Sequence, residues 1–384
     1  MSVLATAPDH RVVETPLHDG SHRHLLAQVG GRPPIRSTVD AVIVPTARPS
    51  WYLGHAVALA TRLRTPLLVL CSKYASARAT ADLASGRDVE VIAVDTPLLP
   101  AEFLPPFETS RLLAGTLFQR GEDLSLKRNL GLLFAAVAGW ERVVFLDDDI
   151  HVPRAEDLLD AASLLDHHHA VGLSPGGFPD NSVVCHAYRT AGGLQDTFIG
   201  GGALAVNVTA SAGFFPNIYN EDWFFLLSDT RLCSISMIGN AIQQSYDPFS
   251  DERRARSEEF GDCLAEGIFW LLDRGRRVKQ ADADFWYSFL DRRRQFIGNI
   301  VERVATLDLE GKERITAALN AALGRSRLIE PELCVDYLRA WRSDRRRWCG
   351  HIANSRRSGW HHPQKWLSEL GLVGCSEYLG APHG

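Results

Sequence analysis

Three consecutive aspartates, Asp147, Asp148 and Asp149, end the apolar run 143–146 in "VVFLDDDIHV". Like charges at the end of an apolar run repel one another and resist burial. Carboxylates one residue apart converge on one small volume if the backbone bends there. Such a group can hold a proton through a raised pKa, pair with Arg or Lys, or bind a divalent cation. Hard oxygen donors suit Mg2+ or Mn2+, which complete their shell with water and substrate phosphates. The plainer account is an acidic helix start, since "DDDIHVPRAED" precedes a helical pattern.

The surrounding pattern says what must position these residues. "DAVIVPT" predicts a buried strand ending at Pro45, "WYLGHAVALATRL" a helix, "PLLVLCS" a strand, "ARATADLASG" a helix and "VEVIAVD" a third strand. Continuous apolar runs are what strands covered on both faces look like, so this order predicts a parallel sheet with crossover helices, an α/β fold. "LSLKRNLGLLFAAVAGW" predicts an amphipathic helix capped by Ser125, and "RVVFLDDD" a fourth strand. The aspartates then sit at a strand's carboxyl end, where open α/β sheets bind ligands. A helix at "AEDLLDAASLLDHH" and a strand at "AVGLSP" follow. The Gly-rich stretch 174–220 reads as loops and short strands, and "NEDWFFLLSDTRL" as a helix capped by Asn220. Beyond about residue 281 the pattern is helical and arginine-rich, without clear strands.

The chain has 384 residues, 45% hydrophobic and 23% charged, which is globular composition. A formal net charge of -5 argues against a general nucleic-acid binder. Seven scattered cysteines without CxxC pairs read as reduced thiols of a cytoplasmic protein. No signal-like start and no run of about 18 apolar residues is present, so neither secretion nor a transmembrane helix is expected.

The order of parts resembles the GT-A nucleotide-sugar glycosyltransferases, most like glycosyltransferase family 2. The segment "VIVPTARPSWYLGHAVALA" (42–60) is similar to that family's opening strand, loop and helix, usually "PTYNR". "SLKRNLGLLFAAVAGWERVVFLDDDI" (125–150) is similar to its "ARNxGxxxAxGxxxxFLDxDD". "GGGALAVN" (200–207) resembles its Gly-rich acceptor-side strand, and "NEDW" (220–223) the "ED" that often carries its catalytic base. The resemblance implies a Rossmann-like, mostly parallel sheet with flanking helices over 40–280, an arm over 1–39 and a helical region over 281–384.

It also implies roles. Asp149 and Asp147 would hold Mn2+ or Mg2+ at the diphosphate of a nucleoside-diphosphate sugar, with Asp147 alternatively at the ribose and Asp148 between them on the donor side. Pro45, Thr46 and Arg48 would lie where the base is received. Lys127 and Arg128 would face base or diphosphate; Arg128 equally suits a counter-charge to the aspartates. Gly201 and Gly202 would let backbone approach the donor sugar, or simply make a turn. Asp222, beside Glu221, would be the general base of an inverting displacement; both acids equally suit a first helical turn.

The expected activity is hexosyl transfer from such a donor to the hydroxyl of a small-molecule, sugar or lipid acceptor, with a homodimer as one option for the assembly. The alternatives are a nucleotidyltransferase and a non-catalytic nucleotide-sugar binder of the same fold. The sequence departs from the family in its first loop, where Ala47 and Arg48 replace the aromatic–Asn pair. No late histidine metal ligand occurs in 239–262, where Asp247, Asp251, Gln243 and Gln244 are the candidates. "DHHH" (166–169) suits a helix end. The Arg- and Trp-rich stretch 335–366 suits a buttress against the catalytic domain, an anionic membrane surface or an acidic acceptor.

Overall fold

The computed structural model describes residues 16–29, 31, 36–210, 213–356 and 362–381. The chain forms β1 (Ala41–Thr46), α1 (Gly54–Leu63), β2 (Leu67–Cys71), α2 (Ala77–Ala84), β3 (Val91–Asp95), α3 (Glu108–Leu113), α4 (Leu124–Ala138), β4 (Arg142–Leu146), β5 (Ile150–His151), α5 (Glu156–Leu164), β6 (Ala170–Gly177), α6 (Val183–Thr190), β7 (Ala203–Asn207), α7 (Glu221–Phe225), β8 (Ile235–Gln243), α8 (Glu252–Asp273), α9 (Ala283–Thr306), α10 (Lys312–Ser326), α11 (Pro331–Ser355), α12 (Pro363–Glu369) and β9 (Ser376–Leu379). One nine-stranded sheet has the order β5-β8-β6-β7-β4-β1-β2-β3-β9. Strands β1, β2, β3, β4, β6 and β8 run one way, and β5, β7 and β9 run against them. The expected mostly parallel sheet with flanking helices is what forms, with three antiparallel strands in addition.

The continuous apolar runs have the reason predicted for them. Side chains alternate across a strand, and here both faces are covered. Ile43, Leu68, Ile92 and Phe145 face a cluster built with α4, α8 and α11. Val42, Val44, Val69 and Val144 face α1, α2 and α5. Helix α4 is sandwiched between the sheet and the later helices. Gly131 is what allows this, since a Cβ there would lie 2.9 Å from Ile43 Cγ2. Each fully buried Leu or Phe contributes roughly 1.5–3 kcal/mol.

Several expectations need correcting. Pro45 lies inside β1 rather than at its end; β4 pairs only with Ala41, Val42 and Ile43, so the missing proline N–H falls where β1 has no β4 partner. Helix α4 starts at Leu124 with Asp123 in the cap position, and Ser125 Oγ instead donates to Pro216 O at 2.9 Å. The stretch 174–220 contains a helix, α6, capped by Ser182. The helix at "NEDW" has five residues, and Asn220 makes no side-chain cap.

The helical end is not free of strands, because β9 returns to the sheet edge beside β3. Trp341, Trp348 and Trp366 pack into the same apolar cluster as the sheet, which is the buttress arrangement; Arg357 and Trp360 lie outside the described residues. The arm is not loose over 16–29. His22 is buried against Asp273 (2.6 Å) and Glu266 (3.4 Å), and Ala27 bridges to Ser236. Among the described residues no helix is long and apolar enough to cross a membrane.

Candidate active site

The carboxyl ends of β1, β4, β6 and β8 and the start of β7 meet at one edge of the sheet. There a cleft of about 720 Å³ opens. Of the residues singled out from the sequence, Arg48, Arg128, Asp147, Asp149, Gly202, Glu221 and Asp222 line it. Pro45, Thr46, Lys127, Asp148 and Gly201 stand behind that lining.

The aspartates are separated by a bend. Asp147 N–H donates to Gly202 O at 2.9 Å, extending the β4–β7 ladder, and Ile150 N–H donates back to Asp147 O at 3.1 Å. The three side chains then have different partners. Both Asp147 oxygens accept from Arg128 Nη2, at 3.0 and 2.9 Å. Asp148 turns to the loop after β1 and accepts from Thr46 Oγ1 at 2.6 Å and Arg48 Nη1 at 2.5 Å. Asp149 accepts from Arg48 Nη2 at 2.9 Å. Burial pushes the Asp147 and Asp148 carboxyls above the usual range, opposed by their arginines and reinforced by Asp149.

Lys127 is buried. Its ammonium donates to Thr46 O (2.8 Å), Ser72 Oγ (2.6 Å) and Asp123 Oδ1 (3.0 Å). That uses all three of its donors. It ties the β1 loop to the end of β2 and the start of α4, and corrects the expectation that it faces a ligand. Asp148 is corrected likewise: it braces the β1 loop.

Arg128 is the hub. Besides Asp147 it bonds Glu221 Oε1 at 2.5 Å. Burial works against its charge, but Asp147 and Glu221 raise its pKa further. Burial pushes Glu221 up despite that contact, and Asp222 adds to the effect; one guanidinium is serving two carboxylates. Gly201 makes room for this hub. A Cβ there would lie 2.4 Å from Arg128 Nη1, and one at Gly202 3.3 Å from Asp147 Oδ2.

The left-handed backbone of Asn220 turns the chain into α7, a conformation Asn tolerates. Gly261 of α8 lets this turn pack closely, since a Cβ there would lie 2.2 Å from Tyr219 O. Asp222 is thereby fixed. Its Oδ2 accepts from Gly201 N–H at 2.6 Å and its Oδ1 from Trp223 N–H at 2.8 Å. Trp223 packs edge-on to Phe198 (5.2 Å) and tilted on Phe269 (4.4 Å).

Sequence reading missed the opposite wall. Asp180, after β6, flanks Gly200 together with Asp222; a Cβ at Gly200 would lie 3.3 Å from Asp222 Oδ2 and 3.8 Å from Asp180 Oδ2. Asp180 is reached by solvent from the cleft but crowded on its other sides. That crowding, with Asp222, Asp147 and Asp149 nearby and Arg254 opposing them, pushes it up to about 7. Arg254 pairs with Glu258 at 2.6 Å and lies 4.5 Å over the Tyr246 ring. The cap at Ser182 was readable in "DNSVVCHA"; nothing marked Arg254 among its arginine neighbours. Of the late candidates, Gln243 and Asp251 line the cleft, whereas Asp247 pairs with Arg314 at 2.5 Å. In the "DHHH" run, the backbone N–H groups of His167 and His168 donate to Leu164 O at the end of α5, at 3.1 and 3.0 Å, while the His168 side chain turns away to Ser234 Oγ at 2.9 Å.

Ten carboxylates and five guanidinium groups line the cleft. The excess, with hard oxygen donors at Asp147 and Asp149, fits a divalent cation with anionic substrate groups. No family model matches the chain, and no curated protein matches its sequence. Among solved structures, the mannosyltransferase PcManGT from Pyrobaculum calidifontis in complex with GDP-Man and Mn2+ is similar, with 12% identity, 90% of this chain and 87% of that chain covered, and a TM-score of 0.37. So distant a likeness leaves the site to be argued from its own geometry.

Proposed function

We propose that this chain is a metal-dependent glycosyltransferase of the GT-A type. It moves a sugar from a nucleoside-diphosphate sugar to an acceptor hydroxyl, with inversion. One observation carries this reading: Asp147 and Asp149 stand at a strand's carboxyl end, on a cleft where carboxylates outnumber guanidinium groups two to one. Asp149 and Asp147 are the residues that would hold Mn2+ or Mg2+. When bound, the cation supplies Lewis-acid neutralisation of the charge on the departing diphosphate.

The protein's own groups do the rest. Arg48 and Arg128 place positive charge beside the diphosphate position while holding the aspartates apart. Asp222 takes the acceptor proton as the hydroxyl oxygen bonds to the anomeric carbon and the bond from that carbon to the diphosphate oxygen breaks. Its two backbone donors orient it. Asp180 stands beside it, its own carboxyl pushed up by burial and by Asp222, Asp147 and Asp149. Trp223 offers a ring edge to the acceptor side.

The test is a thermal-shift panel of UDP-, GDP-, ADP-, dTDP- and CMP-sugars with and without Mn2+, followed by transfer assays. Stabilisation by one donor only in the presence of the cation, lost in Asp149→Ala, is the expected result. No donor-specific stabilisation overturns the reading. Pyrophosphate release from a nucleoside triphosphate would instead mark a nucleotidyltransferase, and stabilisation without any released nucleoside diphosphate a silent binder.

A further inference from the structure

Away from the strand-end aspartates, Cys185 and Glu266 line the same cleft, and a histidine from another segment approaches both. His18 comes from the 16–29 segment, Cys185 from α6 and Glu266 from α8. One ligating atom of each lies within 4.8 Å of the other two. In a tetrahedral zinc site, bonds of about 2.0–2.1 Å to nitrogen and about 2.3 Å to sulfur put the donors about 3.4–3.6 Å apart. The three side chains therefore need to close by at most about 1.4 Å to share an ion.

Their orientation favours this. His18 Nε2 lies 2.5 Å from Gln195 Oε1. An amide oxygen only accepts, so Nε2 donates to it and Nδ1 is the ring atom turned toward Glu266, 3.8 Å from its Oε2. A partner on the far nitrogen that fixes ring and tautomer is the usual support of a ligating histidine. The ring is also stacked on Phe296, centroids 4.3 Å apart. The segment is anchored on both sides of His18, by Arg292 to Pro16 O and Arg274 to Asp19, each at 2.6 Å. His18 and Glu266 side chains are each 6% exposed, and Cys185 is 2% exposed. This donor set is therefore held and nearly dry, unlike a chance surface cluster.

We propose that His18, Cys185 and Glu266 form a Zn2+ site, with a fourth coordination position open to the cleft for water or a substrate oxygen. One nitrogen, one sulfur and one carboxylate suit zinc and disfavour Mg2+ or Mn2+. On binding, the Cys185 thiol proton leaves to solvent and the thiolate bonds the metal. The cleft then holds two cation sites of opposite softness.

The experiment uses the full chain, freed of any purification tag and stripped with chelator. Zinc is titrated in competition with a chromophoric chelator, and cobalt is substituted for optical spectroscopy. The expected result is one equivalent of zinc, and a cobalt complex with a thiolate charge-transfer band. Cys185→Ser removes that band, and it and His18→Ala each weaken zinc at least about tenfold, the scale of losing even a supporting contact. Asp149→Ala leaves zinc binding unchanged. Circular dichroism checks folding, and His18→Ala keeps the test decisive if the buried Cys185→Ser fails to fold. No zinc uptake, a cobalt complex without the thiolate band, unchanged affinity in either folded variant, or zinc lost in Asp149→Ala overturns the site. None of these readouts involves sugar transfer, so this proposal and the transferase reading fail separately.

Discussion

Two acidic clusters in this molecule use the same residue types and reach opposite ends. On α8, Glu259 and Asp262 meet Arg293 of α9, with Arg293 Nη2 at 2.9 Å from Glu259 Oε2 and 2.6 Å from Asp262 Oδ2. All three side chains are 3% exposed or less. At the end of β4, Asp147, Asp148 and Asp149 share Arg128 and Arg48, but the Arg48 side chain is 43% exposed and that of Asp149 is 21% exposed. The first cluster is closed and joins two helices; only Asp262 of it touches the cleft, and its carboxylate is held by Arg293. The second is matched on one side and open on the other. Buried pairs are costly to break by halves, whereas exposed ones contribute little to stability. The difference separates a brace from a site.

The largest expected effect lies in the open cluster. Asp222→Asn and Asp149→Ala should each lower the transfer rate by about 10²–10⁴, the scale of a positioned acid–base group or preorganised electrostatic contact. Neither should shift the urea midpoint much. Steady-state kinetics with the donor found in the thermal-shift panel measures this. A full-rate Asp149→Ala would remove the metal role while leaving the fold untouched.

The next effect belongs to the closed cluster. Arg293→Met leaves Glu259 and Asp262 buried without their cation and should cost about 3–5 kcal/mol, read as a lower urea midpoint. Arg48→Met at the open cluster should cost about 0–1 kcal/mol, because its guanidinium faces water. Equal losses at both positions would erase the distinction drawn between them.

The same contrast explains what was readable in the sequence. The order β1–α1–β2–α2–β3 and the α4–β4 pair were legible because local apolar periodicity and global burial agree there. Asp147 and Arg128 adjoin the α4–β4 pair, whereas Asp222 was singled out by the resemblance of "NEDW" to a family motif. Helix α6, apart from the Ser182 cap that starts it, and strand β8 were not legible. Val183, Val184 and Ala187 bury only because α9 and α10 pack over them, and β8 alternates irregularly around a bulge near Leu173 and Ser174 of its partner. Strand β9 is a four-residue edge whose identity comes from its pairing with β3. Asp180 and Arg254 reach the cleft from segments far apart in the chain, and no spacing rule joins them. Lys127 shows the reverse error: a cation in a matching motif whose charge is spent on bracing a loop.

The smallest effect tests whether the open cluster is short of positive charge. Asp180 is pushed up to about 7, whereas an unfolded aspartate titrates near about 3.9. Between those values the folded chain holds a proton that the unfolded chain has released, so stability falls as pH rises across the window. Below about 3.9 the contribution is fully present, and above about 7 the loss is complete and flat. Asp180→Asn removes the titration. Its melting temperature relative to the parent chain should therefore rise from about pH 4 to about pH 7 and then level off. Because Asp180 opens onto solvent the rise should be small. Saturating Mn2+ should shrink it, since a cation near Asp149 and Asp147 offsets the repulsion that raises Asp180. A pH-independent difference would mean that Asp180 ionises normally, and the cleft would then resemble the closed cluster on α8 in having its charges already matched.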